Sequence, residues 1–276
     1  MKRLLVLLSL LLAFSTVLTG CGGDKKEGKE SSNEFRVGLE CAYAPFNWTQ
    51  TDDSNGAVPI KGGGYAGGYD VEIAKEIAKG LGKKLVIVKT EWDGLLPALT
   101  SGKIDAIIAG MSPTAERKNS IDFSDNYYKS ELVVVVKKDG KYASAKSLED
   151  FAGAKITGQL NTFHYTVIDQ MSKVDKQTEM EDFPTMIVAL NSGKIDGYIS
   201  EKPGAVSASA VNSNLTFISF NADKGFETSD DDVAIAVGLK KNSNLTKKIN
   251  EILSSVSQAD RDELMQSALE NQPSVK

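Results

Sequence analysis

Two doubly wound α/β lobes joined by a two-strand hinge are what this sequence predicts, and three features predict them. A block of eight residues, Ala98 to Asp105 (ALTSGKID), recurs as Ala189 to Asp196 (ALNSGKID), 91 residues further on, an offset of about one lobe. Around the first copy, short β-branched runs alternate with helical periodicity, the β-α-β-α-β order of a doubly wound parallel sheet. Two continuous apolar runs, Leu132 to Val136 and Val233 to Leu239, are of the kind that cross between lobes. Two crossings imply a discontinuous first lobe, residues 34–130 with 228–276, and a second lobe of residues 131–227.

Taken in order, the first strand runs from Phe35 to Leu39. A helix follows from Asp70, its expected N-cap, with Ile73, Ile77 and Leu81 on one face and Gly80 and Gly82 as stops. A strand at Leu85 to Val88, a helix over Asp93 to Thr100 and a strand at Ile104 to Ala109 complete the unit. The second unit has a strand at Lys155 to Thr157, a helix over Thr162 to Met171, a helical stretch Met186 to Asn191 and a strand Ile195 to Ser200. In both repeats a glycine, Gly102 or Gly193, stands where a helix ends in the left-handed conformation. Leu245 to Leu269 reads as terminal helices.

The amino terminus is of another kind. Lys2 and Arg3 precede an apolar run from Leu4 to Leu18, the layout of a secretory signal and short for a membrane span. The run ends in Leu18-Thr-Gly-Cys21, which resembles a bacterial lipobox and implies a signal over 1–20, lipidation of Cys21 and anchoring at the extracytoplasmic face of the cell membrane. Residues 21–33 hold no large apolar side chain and read as a flexible tether. Cys41 is the only other cysteine, so no disulfide framework is expected. A net charge of −5 argues against nucleic acid as a partner.

In open α/β sheets ligands bind beyond the carboxyl ends of the strands, which selects the loops Glu40 to Trp48, Gly110 to Arg117 and Ser200 to Lys202. Ser112 as N-cap, Pro113 at the first helical position and Arg117 one turn later form an expected anion site. The planar guanidinium grips a carboxylate through two parallel hydrogen bonds. Glu201 follows the equivalent strand of the other unit, where a carboxylate suits the ammonium group of a zwitterion.

Tyr43-Ala-Pro-Phe46, Gly68-Tyr-Asp-Val71, Leu96 to Asp105 and Ser112 to Arg117 together resemble the polar and basic amino-acid-binding proteins of ABC importers, from about Phe35 to the carboxyl terminus. The resemblance implies a periplasmic-binding-protein-like fold of type II, a free amino acid as ligand, an importer permease as partner, a monomer, and neither cofactor nor metal. It assigns Arg117 and Ser112, with backbone amides at Thr162 and Phe163, to the ligand carboxylate. Glu201 and the Gly110 carbonyl fall to the ammonium group, and Gln159, Tyr43 and Glu40 to the side-chain pocket. The segment Gln159 to His164 departs from the family pattern, with Asn161 for a glycine and Phe163 for a threonine.

Glu40 is the one clue to the side chain. A buried carboxylate is costly unless paired, so a basic ligand such as lysine, arginine or ornithine is expected, with a neutral polar one such as glutamine or cystine as the alternative. Enzymes such as dehydratases use the same scaffold, but no nucleophile and base pair is recognisable, so none is expected. Gly62 to Gly67 matches G-x-G-x-x-G without a preceding strand and reads as a flexible insert at the cleft rim. His164 reads as packing or solvated, and Asp230 to Asp232 as a solvated acidic turn.

Overall fold

A computed structural model describes residues 33–221 and 223–273. The expected signal, the expected lipidation site Cys21 and nearly all of the expected tether lie outside those residues. The chain forms β1 (Glu34–Leu39), β2 (Ala42–Tyr43), β3 (Asn47–Gln50), β4 (Val58–Pro59), β5 (Tyr65–Gly67), α1 (Tyr69–Leu81), β6 (Lys84–Lys89), α2 (Trp92–Ser101), β7 (Ala106–Ile107), α3 (Ala115–Ser120) and β8 (Asp122–Lys129). It continues through β9 (Leu132–Lys137), β10 (Lys155–Thr157), α4 (Phe163–Thr166), β11 (Asp175–Lys176), α5 (Phe183–Ser192), β12 (Gly197–Glu201), α6 (Lys202–Val211) and β13 (Leu215–Ile218). Strand β14 (Ala234–Leu239) and helices α7 (Thr246–Ser255) and α8 (Gln258–Asn271) follow.

Two sheets of five strands have the orders β6-β1-β7-β14-β8 and β11-β10-β12-β9-β13. In each, the first three strands are parallel, as expected, the fourth runs against them and the fifth runs with them, so both sheets are mixed. The antiparallel fourth strand explains the difference. Strand β9 enters the second sheet directly from β8 of the first, and β14 returns to the first after β13 of the second. The apolar runs at Leu132 and Val233 are therefore buried sheet strands, which accounts for their unbroken hydrophobicity. The crossings are the short segments before them, held side by side where Ser130 N–H donates to Val233 O at 2.9 Å.

The repeat closes both units in the same way. Gly102 and Gly193 take φ of 82° and 77°, and their N–H groups bond back to the last helical turn. The aspartate ending each copy then pins the start of a neighbouring strand. Asp105 accepts from Arg36 N–H at 2.8 Å, and Asp196 accepts from Lys155 N–H at 2.9 Å.

Three local expectations are corrected. Helix α1 is preceded by Gly68 at φ 119°, where a Cβ would sit 2.4 Å from Phe46 O, and Asp70 is a buried residue of the first turn, not the cap. Its carboxylate accepts from Asn47 Nδ2 at 2.8 Å and Tyr127 OH at 2.7 Å, and so ties the first loop to the core. The glycine-rich segment is no loose insert, because β2, β3, β5 and β4 make a small antiparallel sheet. Pro59 lies in its edge strand, where a missing N–H costs no ladder bond. Helix Thr162 to Met171 is in fact the short α4 followed by a 3₁₀ turn at Val167–Gln170.

Candidate functional site

The loop after β1 is built rigidly. Cys41 adopts φ 57° and its N–H donates to Asn47 Oδ1 at 2.7 Å, so the Asp70 network reaches the loop and fixes Glu40 and Tyr43, both about 3% exposed. Tyr43 stacks on Phe183 from α5, centroids 4.1 Å apart, and its hydroxyl donates to Glu201 Oε2. Gly110 (φ 63°) and Gly204 make room for the ring, since a Cβ on either would stand 3.0 Å from it.

Arg117 is placed differently from expectation. Helix α3 begins two residues later than Ser112 implied, with Thr114 as N-cap accepting from Arg117 N–H at 3.4 Å. Ser112 serves through its carbonyl, which accepts from Arg117 Nη1 at 3.0 Å. The guanidinium also donates to Asn161 O at 3.2 Å and lies 5.1 Å from the Trp92 ring centroid. It has no carboxylate partner among the described residues, and burial pulls its pKa down to about 10, opposed by Glu116.

Across the cleft, Asn161 holds φ 53°, a conformation asparagine tolerates better than most residues, which explains how it stands where the family pattern has glycine. Its side chain donates to Asp93 at 2.9 Å. Thr162 Oγ1 donates to Gln159 O at 2.6 Å, and Gln159 Nε2 lies 3.2 Å from both oxygens of Glu40. Burial pushes Glu40 up to about 7, against the lowering effect of Gln159, and pushes Glu201 up to about 8.

Seven of the nine candidate residues, Tyr43, Gly110, Ser112, Arg117, Gln159, Thr162 and Phe163, line one small cavity of about 10 Å³. Glu40 and Glu201 stand just behind Gln159 and Tyr43. A groove of about 630 Å³ shares Trp92, Arg117, Thr162, Phe163 and Asp232 with it. The sequence reading missed three of the cavity's walls, Trp92, His164 and Asp232, and Phe183 stacked behind Tyr43. Trp92 and Phe183 are related by the same 91-residue offset as the repeat, each opening its helix, so extending the repeat a few residues upstream would have found both. His164, read as packing or solvated, is buried with Nε2 2.9 Å from Glu201 Oε1. Asp230 and Asp231 do pair at the surface with Lys129 and Lys118, whereas Asp232 borders the cavity.

The chain matches the bacterial extracellular solute-binding proteins, family 3, over residues 35–268. It belongs to that family. This solute-binding protein is 28% identical over 260 residues to the arginine-binding extracellular protein ArtP of Bacillus subtilis, covering 91% of each chain. It is 32% identical over 231 residues to a probable histidine-binding protein of Campylobacter jejuni, covering 82% of this chain and 84% of that one. Among solved structures, an amino acid ABC transporter substrate-binding protein from Streptococcus pneumoniae bound to L-arginine superposes with a TM-score of 0.76 at 28% identity, covering 86% of this chain and 94% of that one. Among the described residues, no helix is long and apolar enough to cross a membrane, and no cluster of histidine, cysteine or acidic residues could hold a metal ion.

Proposed function

We propose that the chain captures a free amino acid, preferentially one with a cationic side chain, and presents it to an ABC importer. The observation that carries this reading is the pairing of unlike charges in one closed cleft. Arg117 is half-buried and has no carboxylate partner among the described residues, and Glu201 is a buried carboxyl with no lysine or arginine partner among them. A zwitterion supplies both missing charges. Its carboxylate takes Arg117 with the backbone amides at Thr162 and Phe163, and its ammonium group takes Glu201 with the Gly110 carbonyl. The side chain runs toward Glu40, where a guanidinium or ammonium head would offset the cost of ionising a buried acid.

The lobes, 34–130 with 228–276 and 131–227, close about the crossings at Ser130 and Val233. Closure supplies the signal that a permease reads. Anchoring through a lipidated Cys21 keeps the protein beside the importer, since the diacyl group supplies the two chains that stable attachment takes. Working as a monomer without cofactor, the chain is a receptor and not an enzyme on this reading.

Melting curves of the chain from Gly22 onward, stripped of carried ligand, against each common amino acid plus ornithine and cystine test the proposal. A ligand at 100 times its Kd stabilises the fold by about 2.7 kcal/mol. Stabilisation by arginine, lysine or ornithine is expected. Stabilisation by glutamine or cystine alone would keep the receptor and remove the basic preference, and none at all would remove the receptor.

A further inference from the structure

Glu201 is not a free-standing acid. Its Oε1 lies 2.9 Å from Nε2 of His164, and its Oε2 takes the Tyr43 hydroxyl. His164 is the chain's one histidine, 7% exposed, seated edge-on against Phe183 at 5.9 Å. Its Nδ1 is buried without a partner among the described residues. That asymmetry selects the tautomer. A proton on Nδ1 would be a buried donor with no acceptor, whereas a proton on Nε2 meets a carboxylate oxygen and leaves only a lone pair unfilled.

The ring is neutral, because burial and then the field of Arg117 push its pKa down to about 3. The contact is therefore a neutral imidazole N–H donating to an acid, not an ion pair. Arg117, Tyr43 and Asp232 share the cavity wall with the ring, Glu40 lies beyond Gln159, and Lys202, next to Glu201, turns away to Glu131 at 2.8 Å. Burial alone favours the protonated acid, which cannot bind an ammonium group as an anion would. Two donors aimed at its two oxygens oppose that.

Resting on the amino-acid reading above, the geometry points to His164 as a positioning residue that aims Glu201 at the ligand's ammonium group and favours the ionised acid over what burial alone would leave. The imidazole keeps one oxygen throughout, and the ammonium group takes the other in place of, or beside, the Tyr43 hydroxyl. Without His164, the acid ionises at higher pH and the ligand competes with a proton.

A single histidine makes the test unambiguous. In ligand-free protein labelled with ¹⁵N-histidine, the ring should show the Nε2–H tautomer and no titration down to pH 5. A ring that titrates near its ordinary value, or that carries its proton on Nδ1, overturns the proposal whatever the ligand is. With L-arginine as probe, Kd measured from pH 5.5 to 9.5 should be about tenfold weaker for His164→Ala than for wild type at the acid end, one pKa unit being tenfold, and the gap should narrow as pH rises past about 8, where Glu201 ionises. His164→Gln, which keeps a donor, should follow wild type. A gap constant across pH means the ring only packs, and overturns the proposal. Failure of wild type to bind L-arginine at any pH, with the Nε2–H signature present, counts against the basic-ligand reading and leaves the hold on Glu201 standing.

Discussion

Gln159 Nε2 lies 3.2 Å from both carboxylate oxygens of Glu40, so the end of β1 in one sheet and the loop after β10 in the other share a buried polar contact. Gln159 is the one side chain that donates to Glu40 among the described residues, and it also donates to Glu181 O. Gln159→Leu keeps most of the volume and removes the donor. The variant should lose about 1–3 kcal/mol of stability at pH 8, read from denaturant unfolding, and much less at pH 5, where the acid is neutral.

Glu40 also gives the ligand-free protein a pH dependence of known sign. Its pKa is raised from 4.5 to about 7, so the folded state holds its proton more tightly than the unfolded chain. The resulting stability is fully present below about 4.5 and lost as pH rises through about 7. The difference in Tm between wild type and Glu40→Gln should therefore change across that window and level off beyond it. Because a cationic ligand restores the ionised acid, L-arginine should raise Tm more at pH 8 than at pH 5.

Much of this was readable in the sequence, and the failures have physical causes. The repeat announced both glycine stops and the equivalence of Gly110 and Glu201, because helix termination and strand order are local and periodic. Asp70 looked like a cap because its spacing to Ile73 and Ile77 is that of a first turn. Its partner Tyr127 is 57 residues away and no local pattern points to it. A proline such as Pro59 tells against a strand, yet an edge strand needs no N–H there. His164 was unreadable because its role depends on Glu201, 37 residues on, and on a tautomer that burial selects.

The space around Tyr43 gives a steric prediction. A Cβ at Gly204 would stand 2.8 Å from Ser200 Oγ and 3.0 Å from the Tyr43 ring, and at Gly110 it would add a strained φ of 63°. Gly204→Ala and Gly110→Ala should push Tyr43 off Glu201 and hold the lobes apart. Both should weaken L-arginine binding tenfold or more, with a larger radius of gyration in the presence of ligand by X-ray scattering.

Asp70 supports the site from behind. Asp70→Ala leaves Asn47 Nδ2 and Tyr127 OH without their acceptor in a buried place, at a cost of about 2–4 kcal/mol. A fall in Tm of roughly 5–15 °C is expected. Kd for L-arginine, measured well below the melting range, should rise as well, because the loop carrying Glu40 and Tyr43 loses its anchor.

Calorimetric titration of L-arginine into wild type and Arg117→Ala at pH 7.5 puts the zwitterion site to the most direct test. Removing the guanidinium should cost about 2–5 kcal/mol, a loss of thirtyfold or more in affinity, with one site per chain in the wild type. Equal affinity in the two proteins would contradict the assignment of the ligand carboxylate to Arg117, and with it the reading of the cleft as an amino-acid site.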